Sequence, residues 1–209
     1  MPRQILPNQN KKSERNENDK YLTPYSVIQQ LLDLTAIPKD ATILEPCSSE
    51  ERTIATTLAK NGYTNISENI YDETATTDFL VRTDLQAEYI ITNTPYGDRQ
   101  TTAFILKMKQ VATKGIYALY PFSILMGSKR LEKIWKDTSF ALKEVFIFAR
   151  PPFLTDKVRP DGKYRTGMTF YAWFYWEKGF VGDPTLKWID NKRFFLTLEE
   201  HTKSESLNH

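Results

Sequence analysis

Two hydrophobic periods alternate along this chain. Residues 24–35 carry apolar side chains at helical spacing, with Thr23 as an N-cap and Pro24 in the first turn. Residues 41–45 predict a short strand and 50–61 a helix that Gly62 ends. Further strands are predicted at 63–70, 79–82 and 88–92, then a helix at 99–113 and a strand at 115–120. A helix near 127–138 and two late strands, 143–149 and 169–176, complete the pattern. Strands separated by helices of this length form an α/β sheet with crossover helices. The two late strands, joined by a loop, suit an antiparallel hairpin at one edge. Ligands of such sheets bind at the carboxyl ends of the strands, and Glu45, Asn69 and Asn93 fall at or near those ends.

Residues 1–18 and 199–209 are polar and read as flexible tails around a single domain, 19–198. The chain of 209 residues is long enough for one sizeable core. Its net charge of +2 means that affinity for nucleic acid has to come from a local basic patch. Cys47 is the single cysteine, so no intramolecular disulfide framework exists, and a reducing, cytoplasmic setting is expected. Both histidines, His201 and His209, lie in the C-terminal tail, so no Cys/His metal site is expected. No apolar run reaches membrane-spanning length, and no membrane partner is expected.

The chemistry concentrates in Asn93-Thr94-Pro95-Tyr96, which follows directly on a hydrophobic strand. An exocyclic amino group donates two hydrogen bonds. The Asn93 side-chain oxygen can accept one and the Thr94 carbonyl the other. Pro95 fixes the turn and biases Thr94 away from the helical region. Tyr96 offers a stacking face, worth roughly 1–3 kcal/mol per base. An ordinary strand-ending turn would use the same residue types. The loop 150–168 is longer than a simple connection needs. It carries Arg150, Lys157, Arg159, Lys163 and Arg165 with aromatics interleaved, which suits phosphate contact and stacking, or a solvated surface loop.

The strand-borne Asn93-Thr94-Pro95-Tyr96 resembles the Asn-Pro-Pro-Tyr of adenine-specific DNA methyltransferases, with Thr94 in the first proline position. Other segments match that family in order. Tyr21-Leu22-Thr23-Pro24 resembles its Tyr-x-Thr-Pro near the cofactor. Ile43-Leu44-Glu45-Pro46-Cys47 resembles its first cofactor strand and turn. Asp78-Phe79-Leu80 resembles the Asp-Phe-Leu between cofactor and target base. The segment 171–178 with 184–188 is similar to the C-terminal strand region of phage-type members. The resemblance spans about residues 20–190. It implies a Rossmann-like class I methyltransferase sheet, mostly parallel with an antiparallel edge hairpin. It also implies S-adenosylmethionine as cofactor, DNA as partner, and chemistry of the kind used in restriction-modification. Residues 93–96 would hold the flipped adenine. Tyr21, Thr23, Pro24, Glu45, Cys47, Ser49, Asn69, Asp78 and Phe79 would line the cofactor.

Departures fall on the cofactor side. Where the family has a glycine-rich turn, this chain has Ser48-Ser49-Glu50-Glu51. The acid expected at the end of the second strand is replaced by Asn69, with Glu68 beside it. Three functions stay open: adenine methylation in DNA, a non-catalytic relative that binds nucleic acid or a partner, and methylation of another planar amide such as a glutamine side chain. Thr23 also reads as a plain N-cap with Tyr21 packing at the helix entry, and Asp78 as a loop acid. Cys47 reads as a small packed residue and 170–176 as strand core.

Overall fold

The computed structural model describes residues 23–70, 78–96, 98–152, 154 and 167–191. Tyr21, Lys157, Arg159, Lys163, Arg165 and both expected tails lie outside the described residues. The elements run α1 (Tyr25–Leu32), β1 (Ile43–Ser48), α2 (Thr53–Lys60), β2 (Ile66–Ile70), β3 (Ala87–Thr92), α3 (Asp98–Val111) and β4 (Ala112–Pro121). A 3-10 turn (Phe122–Leu125), the short α4 (Ser128–Arg130) and a π-helical turn (Leu131–Trp135) follow. The strands β5 (Phe140–Phe148), β6 (Tyr171–Lys178) and β7 (Thr185–Ile189) are the last described elements.

Among the described residues, seven strands form one sheet in the order β2-β1-β3-β4-β6-β5-β7. Only β6 runs against the rest, pairing antiparallel with β4 and with β5. The sheet is therefore the mostly parallel, Rossmann-like α/β sheet that the pattern implies. Each strand has a face toward one of two layers, as the pleat demands. Ile43, Ile91, Leu119 and Trp173 meet Val27, Ile28 and Leu31 of α1 and Ile54 and Leu58 of α2. Their neighbours Leu44, Ile90, Tyr120 and Phe174 meet Phe104, Ile105 and Met108 of α3. The Trp173 indole N–H donates to the Val27 carbonyl at 3.0 Å and joins the late strand to the first helix. Gly115 is required by a close approach: a Cβ there would lie 2.7 Å from the Tyr175 ring.

Two elements differ from the pattern. Residues 79–82 are not a strand. The Asp78 carboxylate accepts the Leu80 N–H at 3.0 Å, and its carbonyl accepts the Val81 N–H at 3.1 Å, which closes a turn. At the far edge, β7 pairs parallel with β5 beyond the antiparallel pair. Its first four residues are exposed, so its apolar content gives no buried period. Gly62 does end α2, at φ 83° just past the Asn61 cap.

Candidate functional site

Because six strands run the same way, the carboxyl ends of β1, β2, β3 and β4 share one rim with the start of β6. The chain goes from β1 outward to β2 and returns to β3 on the other side of β1. Ligands enter α/β sheets at such a reversal point. Glu45, Cys47 and Ser48 lie on one side of it and residues 93–96 on the other.

On the β3 side the site is held by hydroxyls and rings. The Asn93 side-chain amide donates to Thr23 Oγ1 at 2.9 Å. Its oxygen accepts from the Tyr96 hydroxyl. Thr23 is thus no N-cap: α1 is capped by Pro24 without a side-chain hydrogen bond. The Thr94 hydroxyl, buried with its residue, donates to the Tyr120 hydroxyl at 2.8 Å. Burial pushes the Tyr120 phenol well above its ordinary range, so it stays protonated. Tyr96 is half-buried, its ring centroid 6.2 Å from that of Tyr120 and 5.5 Å from that of Tyr171.

On the β1 side Glu45, Ser48, Arg52 and Glu68 close on one another. Glu45 and Glu68 face each other across the β1–β2 ladder. Glu68 accepts from Ser48 Oγ at 2.6 Å and from Arg52 Nε at 2.8 Å, and forms an ion pair with Arg52. Burial works to raise the Glu68 carboxyl, but the Arg52 and Ser48 hydrogen bonds outweigh it and hold it below its ordinary range. Glu45 is only 3% exposed, and its Oε2 has no hydrogen-bond partner among the described residues. Burial first, and the Glu68 charge second, push its carboxyl up to about 8. Cys47 is partly buried; burial and then the Glu45 charge push its thiol far up, with Asp78 adding to this, so it is no nucleophile.

Asn69 is buried, donates to the Pro46 carbonyl at 3.1 Å and accepts from Arg82 at 3.1 Å. Phe79 is fully buried and stacks on Phe104 at 6.0 Å. Ser49 and Glu51 are exposed. Arg150 is exposed past the end of β5, its backbone tied on both sides to Asn191. The structure brings Thr23, Asn93, Thr94 and Tyr96 together, and separately Glu45, Cys47 and Asp78. Arg52 on Glu68, Arg82 on Asn69, Tyr120 on Thr94 and Tyr171 against Tyr96 also belong to the site and are not among the residues the sequence points to. The aromatic run beginning at Tyr171 carried a signal, but one that core packing also explains. No group of three or more metal-ligating side chains occurs among the described residues.

No protein-family model and no curated protein sequence matches the chain. Solved structures do. A Listeria monocytogenes protein, described as a class I S-adenosylmethionine-dependent methyltransferase, matches with TM-score 0.53 and 13% identity over 90% of this chain and 70% of that one. The methyltransferase subunit of a type I restriction-modification system from Streptococcus thermophilus matches with TM-score 0.55 and 10% identity, over 89% of this chain and 52% of that one. The M protein of the type I restriction enzyme EcoKI gives 0.52 and 11%, over 91% of this chain and 54% of that one. The chain spans about half the length of these two type I proteins. At such identities the likeness is one of fold, and that fold is the one on which class I S-adenosylmethionine-dependent methyltransferases are built.

Proposed function

We propose that this protein transfers a methyl group from S-adenosylmethionine to the exocyclic amino group of an adenine in DNA. The observation that carries the reading is the geometry around Asn93. Its amide is oriented by Thr23, and its oxygen already accepts a hydrogen bond from a neighbouring donor, the Tyr96 hydroxyl. An adenine amino group would take that hydroxyl's place at Asn93 Oδ1, and the Thr94 carbonyl would accept its second hydrogen. The Thr94 hydroxyl bond to Tyr120 anchors this backbone, and Pro95 stiffens it. Tyr96, released from Asn93, would present its ring for stacking on the base. Two acceptors on one amino group draw its lone pair out of the ring system and aim it, so positioning supplies most of the acceleration. Taking the base out of a duplex costs a few kcal/mol.

S-Adenosylmethionine, when bound, supplies an electrophilic methyl group. The residues suit it at one end: Glu45 Oε2 is buried without a hydrogen-bond partner among the described residues, and an ammonium group beside it would favour the ionised carboxylate and donate to it. At the ribose end Glu68 and Asn69 are engaged by Ser48, Arg52, Pro46 and Arg82. Arg52 has to swing out before hydroxyls reach Glu68.

A second reading is favoured by that same Arg52 clamp. Here the chain is a non-catalytic relative with its cofactor loop locked, binding nucleic acid or a partner subunit. Calorimetric titration with S-adenosylmethionine separates the two. The enzyme reading expects saturable binding and transfer of labelled methyl groups to DNA, with Asn93→Ala lowering transfer at least about a hundredfold. No binding at millimolar cofactor would leave only the second reading.

A further inference from the structure

The strands on the β7 side of the sheet leave part of one face in solvent. In the register, Ile147 of β5 stands between Ala172 of β6 and Trp188 of β7, and Val145 between Phe174 and Leu186. Val145, Ala172 and Phe174 belong to the layer that packs on α3, so these rows point to that side of the sheet. Phe122 closes over Phe174 there, and Trp135 over Trp176, with ring centroids 6.4 Å and 6.0 Å apart. Beyond them Leu186 is 54% exposed and Trp188 65%. The Phe170 carbonyl accepts the Phe122 N–H at 2.9 Å, which carries the β4–β6 ladder one step past Tyr171. Alternation then sets Phe170 on the same face as Ala172, and it is 66% exposed. Ala149, two residues past Ile147 on β5, is exposed beside it.

This patch carries no charge. Lys143 and Glu177 pair with each other, and so do Lys187 and Glu144, on the opposite face with Tyr175 and Phe146. An uncharged apolar face offers no cation to phosphate, so nucleic acid is a poor partner for it. It does meet the condition for packing against itself. A two-fold contact sets a patch against its own copy, where any charge would meet its like. Sheet faces pack about 10 Å apart with interdigitated side chains, and the small Ala149 between Phe170 and β7 leaves room for a ring from the other copy. The area also suffices. Each partner in a standard interface gives roughly 800 Å², a little over half of it apolar. Two aromatic side chains and their aliphatic neighbours, exposed to this degree, offer on the order of 400 Å² of apolar surface.

We propose that this face of β5 and β7, with Phe170, is the contact between two copies of the chain related by a two-fold axis. It lies on the β7 side of the sheet, away from the reversal point between β1 and β3. The inference therefore stands apart from the methyl-transfer reading.

The test is the mass of the full chain by light scattering after size exclusion, over about 1–100 μM. Trp188 is the one strongly exposed tryptophan of four, so its emission reports on the face. The expected result is a mass that rises from one chain to two, with a blue shift of the emission over the same concentrations. Leu186→Lys/Trp188→Lys should stay at one chain throughout and keep the circular dichroism of the unaltered protein. Leu34→Lys, an exposed apolar position just after α1, should still reach two chains. A single-chain mass for the unaltered protein overturns the proposal. Trp188 emission shielded at that mass would assign the face to residues of the same chain beyond 191, and exposed emission to a different protein. Persistence of two chains in the Leu186/Trp188 variant, or their loss in both variants, overturns it equally.

Discussion

Glu45 shows how a single residue can record the state of the site. Its carboxyl is buried against Glu68 and titrates near 8 in the folded chain, well above its ordinary value of 4.5. A raised carboxyl favours the folded state while protonated. Its contribution is full below about pH 4.5 and is lost as pH rises to 8, because the unfolded chain releases its proton first. Stability should fall across that window by up to about 1.4 kcal/mol per pH unit. Glu45→Gln should flatten the slope, which thermal unfolding at pH 5, 6, 7 and 8 would read. Equal slopes in both proteins would show Glu45 ionised throughout. A second residue-scale expectation concerns Thr94→Val, which leaves the buried Tyr120 hydroxyl without its partner. Urea unfolding should register a loss of about 1–3 kcal/mol.

Among the elements, the loop between β1 and α2 is where the two proposed functions part. Arg52 holds a left-handed backbone at φ 52°, a conformation in which glycine is at ease, while its guanidinium occupies Glu68. Arg52→Gly keeps the turn and releases Glu68. It should strengthen S-adenosylmethionine binding by several fold in calorimetry if Glu68 can serve the ribose; unchanged or weaker binding would argue that the loop is closed for good. The chain order of most helices and strands was legible in the hydrophobic periods, because each keeps one period over five or more residues. Residues 79–82 misled, because Phe79 and Leu80 belong to a turn and bury only part of the run. The pattern also missed β7, whose outward residues carry no buried face, although the resemblance had placed 184–188 in a strand region. The contiguous residues 93–96 could be read directly. Tyr120 and Tyr171 could not, since Tyr120 reaches Thr94 through β4 lying beside β3, and Tyr171 reaches Tyr96 through β6 lying beside β4.

Across the whole molecule, β6 is the strand on which the sheet closes. It lies between β4 and β5, although β5 precedes it in the chain. A chain cut before Tyr171 leaves β4 with one open edge and removes the Trp173 bond to α1. Such a piece should elute as aggregate in size-exclusion chromatography, since a long apolar edge recruits other strands; a monomeric, compact peak would contradict this. The arrangement also sets a timetable. A ribosome adds roughly 5–20 residues each second. The stretch of about 50 residues between Pro121 and Tyr171 therefore takes roughly 2–10 s to make. For those seconds β4 has emerged and its neighbour has not been synthesised. A nascent chain of this protein thus shows an unpaired apolar strand edge for that time, and the rim carrying Asn93 is completed only once β6 has been made.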